Sequence, residues 1–150
     1  MFKQSLFAFS ALLLAIGSVH TPIFANEHTS DTQVVEPAKT ELLPIVAVVK
    51  ADWCPACKKV GPTMMGLMKD YGSKAQFVVL DVTNPKTTAE AKKKAHELGL
   101  DAFFTEYGSK TSTVAIIDPK SKKIINLFMA EAKREKYTAA LDKILAADKG

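Results

Sequence analysis

Short apolar runs alternate with amphipathic segments along the chain. The β-branched run at 45–49 is typical of a strand buried on both faces of a sheet. A helical period then covers 55–71 and stops at Gly72, with Pro62 placed where a proline bends a helix. The apolar face of this helix is formed by Val60, Met64, Leu67, Met68 and Tyr71. The pattern predicts a buried strand followed by a bent amphipathic helix.

Further elements follow at regular intervals. Strands are predicted at 76–82, 113–117 and 123–129, and helices from Thr87 or Thr88 to Leu98 and over 133–147. The segment 100–110, with Phe103, Phe104 and Tyr107, shows no clear period and is predicted as a loop. The turn sequence at 118–121 indicates a hairpin between the last two strands.

The predicted order is β-α-β-α-β-β-α. The first two connections contain helices, as parallel crossovers require, and the last pair of strands is antiparallel. This order predicts an α/β domain in which a mixed four-stranded sheet has helices on both faces.

The beginning of the chain has the pattern of a signal peptide. Lys3 precedes an apolar run of 14 residues at 6–19, and Ala25 suits the last position before a cut. The run is shorter than the roughly 20 residues that cross a bilayer. We therefore expect a signal peptide at 1–25, export to a periplasm or the medium, a flexible lead at 26–41 and a domain over 42–150.

Charge and composition exclude several classes of function. The formal net charge is +4, from 20 basic and 16 acidic residues, and Arg134 is the single arginine. A nucleic-acid surface needs a denser basic patch with arginines or aromatic residues. The chain also lacks a hydrolase motif and a phosphate-binding glycine loop. We expect a monomer that binds no nucleic acid and carries no cofactor.

The two cysteines, Cys54 and Cys57, lie three positions apart between the predicted strand and helix. Cys54 would therefore occupy a helix N-terminus, where free N–H groups and the helix dipole favour the thiolate. The thiolate is the form that attacks a disulfide. As a structural staple so short a loop contributes only about 2 kcal/mol, so the spacing favours redox chemistry.

The segment 51–58, Ala-Asp-Trp-Cys-Pro-Ala-Cys-Lys, resembles the active site of the thioredoxin superfamily. Pro62, five residues after the second cysteine, and Asp81, at the end of the second strand, extend the resemblance. The match spans about 42–147 and implies a thioredoxin-like fold.

By this resemblance, Cys54 is the nucleophile and Cys57 is the less exposed resolving thiol. Trp53 would pack beside the pair and shield it from water, and Lys58 would support the thiolate. Pro55 and Ala56 are the dipeptide between the thiols. The implied partners are protein thiols or disulfides and a membrane or periplasmic electron donor.

Three departures indicate a divergent member. Ser112, after Thr111, stands where thioredoxins place a cis-proline, and we expect a trans bond here because a non-proline cis bond costs about 3 kcal/mol. Val48 replaces a buried aspartate that helps to deprotonate the resolving cysteine. The glycine after the fourth strand is also absent, with Phe128 or Met129 near its place.

Two other functions remain open. A metal-binding module could use the thiols, although a structural zinc site needs four ligands and only His28 and His96 follow the predicted signal peptide. A redox-inert partner-binding domain is the second alternative. The direction of electron flow, as reductant or oxidant, is not fixed by the residues between the thiols.

Overall fold

A computed structural model of the protein describes residues 42–147. The strands in this part are β1 (Ile45–Lys50), β2 (Gln76–Asp81), β3 (Thr113–Ile117) and β4 (Ile124–Met129). The helices are α1 (Pro55–Tyr71), α2 (Pro85–Glu97), α3 (Asp101–Tyr107) and α4 (Arg134–Ala147). The predicted signal peptide and lead lie outside the described residues. Within 42–147, none of the helices combines the length and the apolar character needed to cross a membrane.

The strands form a single mixed sheet in the order β2-β1-β3-β4. Strand β1 runs parallel to β2 and antiparallel to β3, and β3 and β4 form the predicted antiparallel hairpin. The α/β class and the mixed four-stranded sheet flanked by helices are thus confirmed.

Strand β1 forms the centre of two cores. Ile45, Ala47 and Val49 face the core beneath α2 and α3. Val46 and Val48 face the core beneath α1 and α4. All five residues are buried, which explains why this segment is continuously apolar rather than alternating. The buried central strand therefore fixes the position of the start of α1, which follows the carboxyl end of β1.

The predicted loop at 100–110 is wrong, because it contains helix α3. Phe103 is buried, and its ring stacks on that of Tyr107 at 5.4 Å. Both side chains pack in the core beneath α2. A helix of 7 residues spans about two turns, too few for a helical period to stand out from the sequence.

The connection from β2 to β3 is not the parallel crossover that the sequence predicts. Strand β3 pairs antiparallel with β1, with Val114 opposite Val48. The extra helix α3 lies in this connection. With this helix the chain changes direction once more, so that β3 enters the sheet antiparallel to β1.

Helix α2 begins two to three residues earlier than predicted. Asn84 is the N-cap, its Oδ1 accepting the N–H of Thr87 at 3.0 Å, and the Thr87 hydroxyl oxygen accepts the N–H of Asn84 at 3.1 Å. Pro85 lies in the first turn. A backbone N–H there would have no partner within the helix, so proline loses no hydrogen bond. The Asn-Pro pair is a start signal that the sequence interpretation missed.

Candidate active site

The two cysteines lie at the start of α1, directly after β1. Cys54 is the N-cap of this helix, with an extended backbone, and its Sγ accepts the N–H of Cys57 at 3.1 Å. Pro55 follows in the first turn and Ala56 is half-buried behind it. A sulfur thus takes the place that serine or aspartate oxygens commonly occupy at a helix start. An ionised sulfur there meets both a donor and the positive end of the helix dipole.

The pKa of Cys54 lies below the ordinary value of a thiol. Burial alone would raise this pKa, but hydrogen bonds from the Cys57 and Thr111 side chains and from the backbone of Cys57 and Ala56 outweigh it. Each of these bonds is stronger to a thiolate than to a thiol. Cys54 is therefore the sulfur of the pair that ionises first.

The pKa of Cys57 lies above the ordinary value. Burial is the main cause, and the hydrogen bond with Cys54 and its charge add to the shift. The backbone of Ala51 and Ser112 opposes the shift in part. The environment pushes the pKa values of the two thiols apart, which gives them different chemical roles.

Comparison with known proteins agrees with this site. The family model named Thioredoxin matches residues 24–96, which include both cysteines. A thioredoxin-like protein of Synechocystis is 28% identical over 64 residues, covering 42% of this chain and 59% of that protein. An H-type thioredoxin of Chlamydomonas reinhardtii is 38% identical over 61 residues, covering 41% and 53%.

The chain is thus similar to the thioredoxin family over just under half of its length. It spans just over half the length of the two curated relatives that it matches. A solved thioredoxin-like protein in the oxidized form is 12% identical and covers 70% of this chain and 79% of that one, with a TM-score of 0.50. The Fasciola hepatica thioredoxin is 21% identical, covers 67% and 80%, and has a TM-score of 0.47.

The relative exposure of the two thiols differs from the family expectation. Cys54 is only 4% exposed, whereas Cys57 is half-buried. As a residue, Cys57 is therefore more exposed than Cys54, which is the reverse of the expectation. Cys57 lines an open cavity between β1 and α1, whereas Cys54 is in contact with Thr111 from the loop before β3.

Ser112 lies beside the pair, directly before β3, as the resemblance implies. Its backbone φ is +66°, a left-handed conformation that costs energy for a residue with a Cβ. Two backbone bonds hold it, from its N–H to Val49 O at 2.8 Å and from the N–H of Ala130 to its own carbonyl at 2.9 Å. The trans bond between Thr111 and Ser112 stays a prediction.

A network after β2 positions the loop that precedes Cys54. The indole N–H of Trp53 donates to Thr83 O at 3.0 Å, and the Thr83 hydroxyl oxygen accepts the N–H of Asp52 at 3.0 Å. Asp81 Oδ1 in turn accepts the N–H of Thr83 at 2.8 Å. Trp53 is 62% exposed, and its shielding of the thiols stays a prediction. The sequence interpretation included Asp81 but missed Thr83.

Asp81 anchors this network as a carboxylate. Burial alone would raise the pKa of Asp81, but hydrogen bonds from Lys50 and Thr83 outweigh it and hold the pKa at about 2. Lys50 Nζ lies 2.7 Å from Asp81 and 2.8 Å from Asp52, and these bonds raise the pKa of Lys50. Asp81 and Lys50 therefore stay charged throughout the physiological pH range.

The other residues considered from the sequence are one lysine and two histidines. Lys58 is exposed and lines the same cavity as Cys57. His96 lies at the end of α2, where its Nδ1 is 2.9 Å from Asp101, and His28 lies outside the described residues. Among residues 42–147, no three His, Cys, Asp or Glu side chains are grouped so that they could hold a metal ion.

Proposed function

We propose that the protein is a thiol–disulfide oxidoreductase or electron carrier that works outside the cytosol through Cys54 and Cys57. The bond from the Cys57 N–H to Cys54 Sγ, 3.1 Å long at the start of α1, carries this proposal. It supports a stable thiolate at Cys54 with a second thiol one turn away. The similarity to the Thioredoxin family model supports the same reaction.

In the proposed reaction the Cys54 thiolate attacks one sulfur of a partner disulfide. A bond forms between Cys54 and that sulfur, and the other partner sulfur leaves as a thiolate. Cys57 then loses its proton and attacks Cys54 Sγ. This step releases the second partner sulfur and leaves a Cys54–Cys57 disulfide, so two electrons pass to the partner.

The proton of Cys57 needs a route to solvent. Val48, 7% exposed, stands where the family expectation places a carboxylate. Cys57 and Val48 both line the open cavity, so water in this cavity is the base that we propose for Cys57. Protein thiols or disulfides are the proposed partners, with a membrane or periplasmic donor to restore the dithiol. Export rests on the signal-peptide pattern at 1–25.

Alkylation of the reduced protein by iodoacetamide tests the assignment of the two thiols. Because a lowered pKa preserves the thiolate as the pH falls, Cys54 should be alkylated first, with a pH midpoint below that of an ordinary thiol, and Cys57 with a midpoint above it. The alkylated residue is identified by acid quenching and fragmentation of peptide 51–58. The proposal fails if Cys57 reacts first or if its midpoint is the lower one.

A pair of variants provides the control. Cys57→Ser retains a hydroxyl donor beside Cys54, so the midpoint of Cys54 should change little. Cys57→Ala removes that donor, and the Cys54 midpoint should rise toward the value of a free thiol.

A further inference from the structure

An open cavity of about 430 Å³ lies between β1 and α1. Its walls are largely apolar, and Cys57 is part of them, while Cys54 is not among the described residues that line it. The principal apolar residues of the lining are Val48, Val60, Val79, Met64, Met65 and Met68. A molecule in this cavity would thus contact Cys57 of the redox pair rather than Cys54.

A buried hydroxyl in the cavity wall lacks a partner. Ser112 lines the cavity and is 2% exposed, and its Oγ has no hydrogen-bond partner within the described chain. Leaving such a group unpaired costs about 1–3 kcal/mol. A ligand that carries a polar group can recover this energy, so the hydroxyl is a second observation that points to an occupant.

The helix wall leaves room for an apolar group. A Cβ placed on Gly61, which also lines the cavity, would have no atom within 4 Å apart from its chain neighbours and the nearby backbone of its own helix. The absence of a side chain here widens the cavity one turn after Cys57. The volume is within the range of small-molecule sites in proteins, roughly 300–1,000 Å³.

We propose that this cavity binds a low-molecular-weight thiol with an apolar body, which reduces the Cys54–Cys57 disulfide by attack at Cys57. The apolar walls hold the body of the ligand. Its thiolate sulfur is the polar group, which lies against Cys57 and accepts a hydrogen bond from Ser112 Oγ. A thiol is the occupant because the sulfur of Cys57 is the reactive group in the wall, and thiolates react with disulfide sulfurs. The inference rests on the proposed redox function of the cysteine pair.

The reaction is balanced without any further reagent. The ligand thiolate attacks Cys57 Sγ of the disulfide, a bond forms between these sulfurs, and Cys54 leaves with the electron pair as a thiolate. A second thiol attacks the ligand sulfur and frees Cys57, which takes up a proton. One protein disulfide and two small thiols thus become one protein dithiol and one small disulfide.

The geometry favours departure of Cys54. Its sulfur leaves toward the Cys57 N–H at the start of α1, where a thiolate is stabilised. A sulfur with a lowered pKa is the faster leaving group in thiol–disulfide exchange, and the pKa of Cys54 is lowered. Cys57 is therefore the attacked sulfur both by access and by chemistry.

Benzyl mercaptan and reduced glutathione, compared at equal thiolate concentration, test the inference on the oxidised protein. Burial of the phenyl group should make benzyl mercaptan at least about 10-fold faster than glutathione. Gly61→Leu fills the cavity and should reduce this ratio to near one. Lys59→Leu, which adds the same side chain to an exposed position of α1, should leave the ratio as in the wild type.

Fragmentation of the first mixed disulfide gives a second readout on the unaltered protein. The benzyl group should be found on Cys57, and finding it on Cys54 overturns the inference. A ratio that stays high in Gly61→Leu overturns it as well. If oxidation forms no Cys54–Cys57 disulfide at all, the proposed redox function fails, and this result is distinct from the other two.

Discussion

Replacing Cys54 with serine is expected to lower the rate of disulfide exchange at least about 1,000-fold. A serine hydroxyl is not ionised near neutral pH, so the variant has no nucleophile at the start of α1. The measurement is the reduction of a disulfide-bonded protein such as insulin, with dithiothreitol as the electron source. A Cys54→Ser protein that retains more than a tenth of the wild-type rate contradicts the role of Cys54.

The lower exchange rate of Cys54→Ser should not result from unfolding of the variant. Cys54 Sγ caps α1 by accepting the Cys57 N–H, and a serine oxygen is a preferred acceptor at this position. The thermal midpoint of Cys54→Ser should therefore lie close to that of the wild type. Cys57→Ser is the matched control, since it preserves the nucleophile and should stop at the mixed disulfide that Cys54 forms with its partner.

Replacing Ser112 with proline, the residue that the family carries here, is expected to destabilise the fold by about 3 kcal/mol or more. Proline holds φ near −65°, whereas Ser112 has a φ of +66°. Proline also lacks the N–H that Ser112 donates to Val49 O at 2.8 Å. Denaturant unfolding of the two proteins gives the difference in the free energy of unfolding.

Ser112→Gly separates the backbone effect from the loss of the side chain. Glycine adopts positive φ without a steric cost and retains the N–H. This variant should be at least as stable as the wild type, because the relief of strain and the removal of the unpaired hydroxyl oppose the greater freedom of the unfolded chain. A Ser112→Pro protein at least as stable as the wild type contradicts the left-handed backbone at this position.

Much of the fold follows from local sequence patterns. The continuous apolar run at 45–49 predicted a strand buried on both faces, and the period of 55–71 predicted the bounds of α1. The turn at 118–121 predicted the hairpin of β3 and β4. These elements are strongly periodic or have clear turn residues, so the local signal agrees with the tertiary structure.

The missed features depend on contacts between distant segments. Helix α3 is short and gains its place by burying Phe103 in the core, which no local period shows. The exposure of Cys57 comes from the cavity between β1 and α1, and the link from Trp53 to Thr83 joins residues 30 positions apart. The cysteine pair, in contrast, could be predicted as a redox site from its spacing and its position before a helix alone.

The reduction potential of the Cys54–Cys57 pair shows whether the two thiols form a redox-active disulfide. The protein is equilibrated in glutathione buffers of increasing ratio, free thiols are trapped with an alkylating agent, and their number is counted by mass. We expect one two-electron transition between about −270 and −120 mV, the range from thioredoxin to a strong disulfide donor. If the two thiols stay reduced at every ratio, or oxidised at every ratio, they are not a redox pair, and the proposed function is wrong.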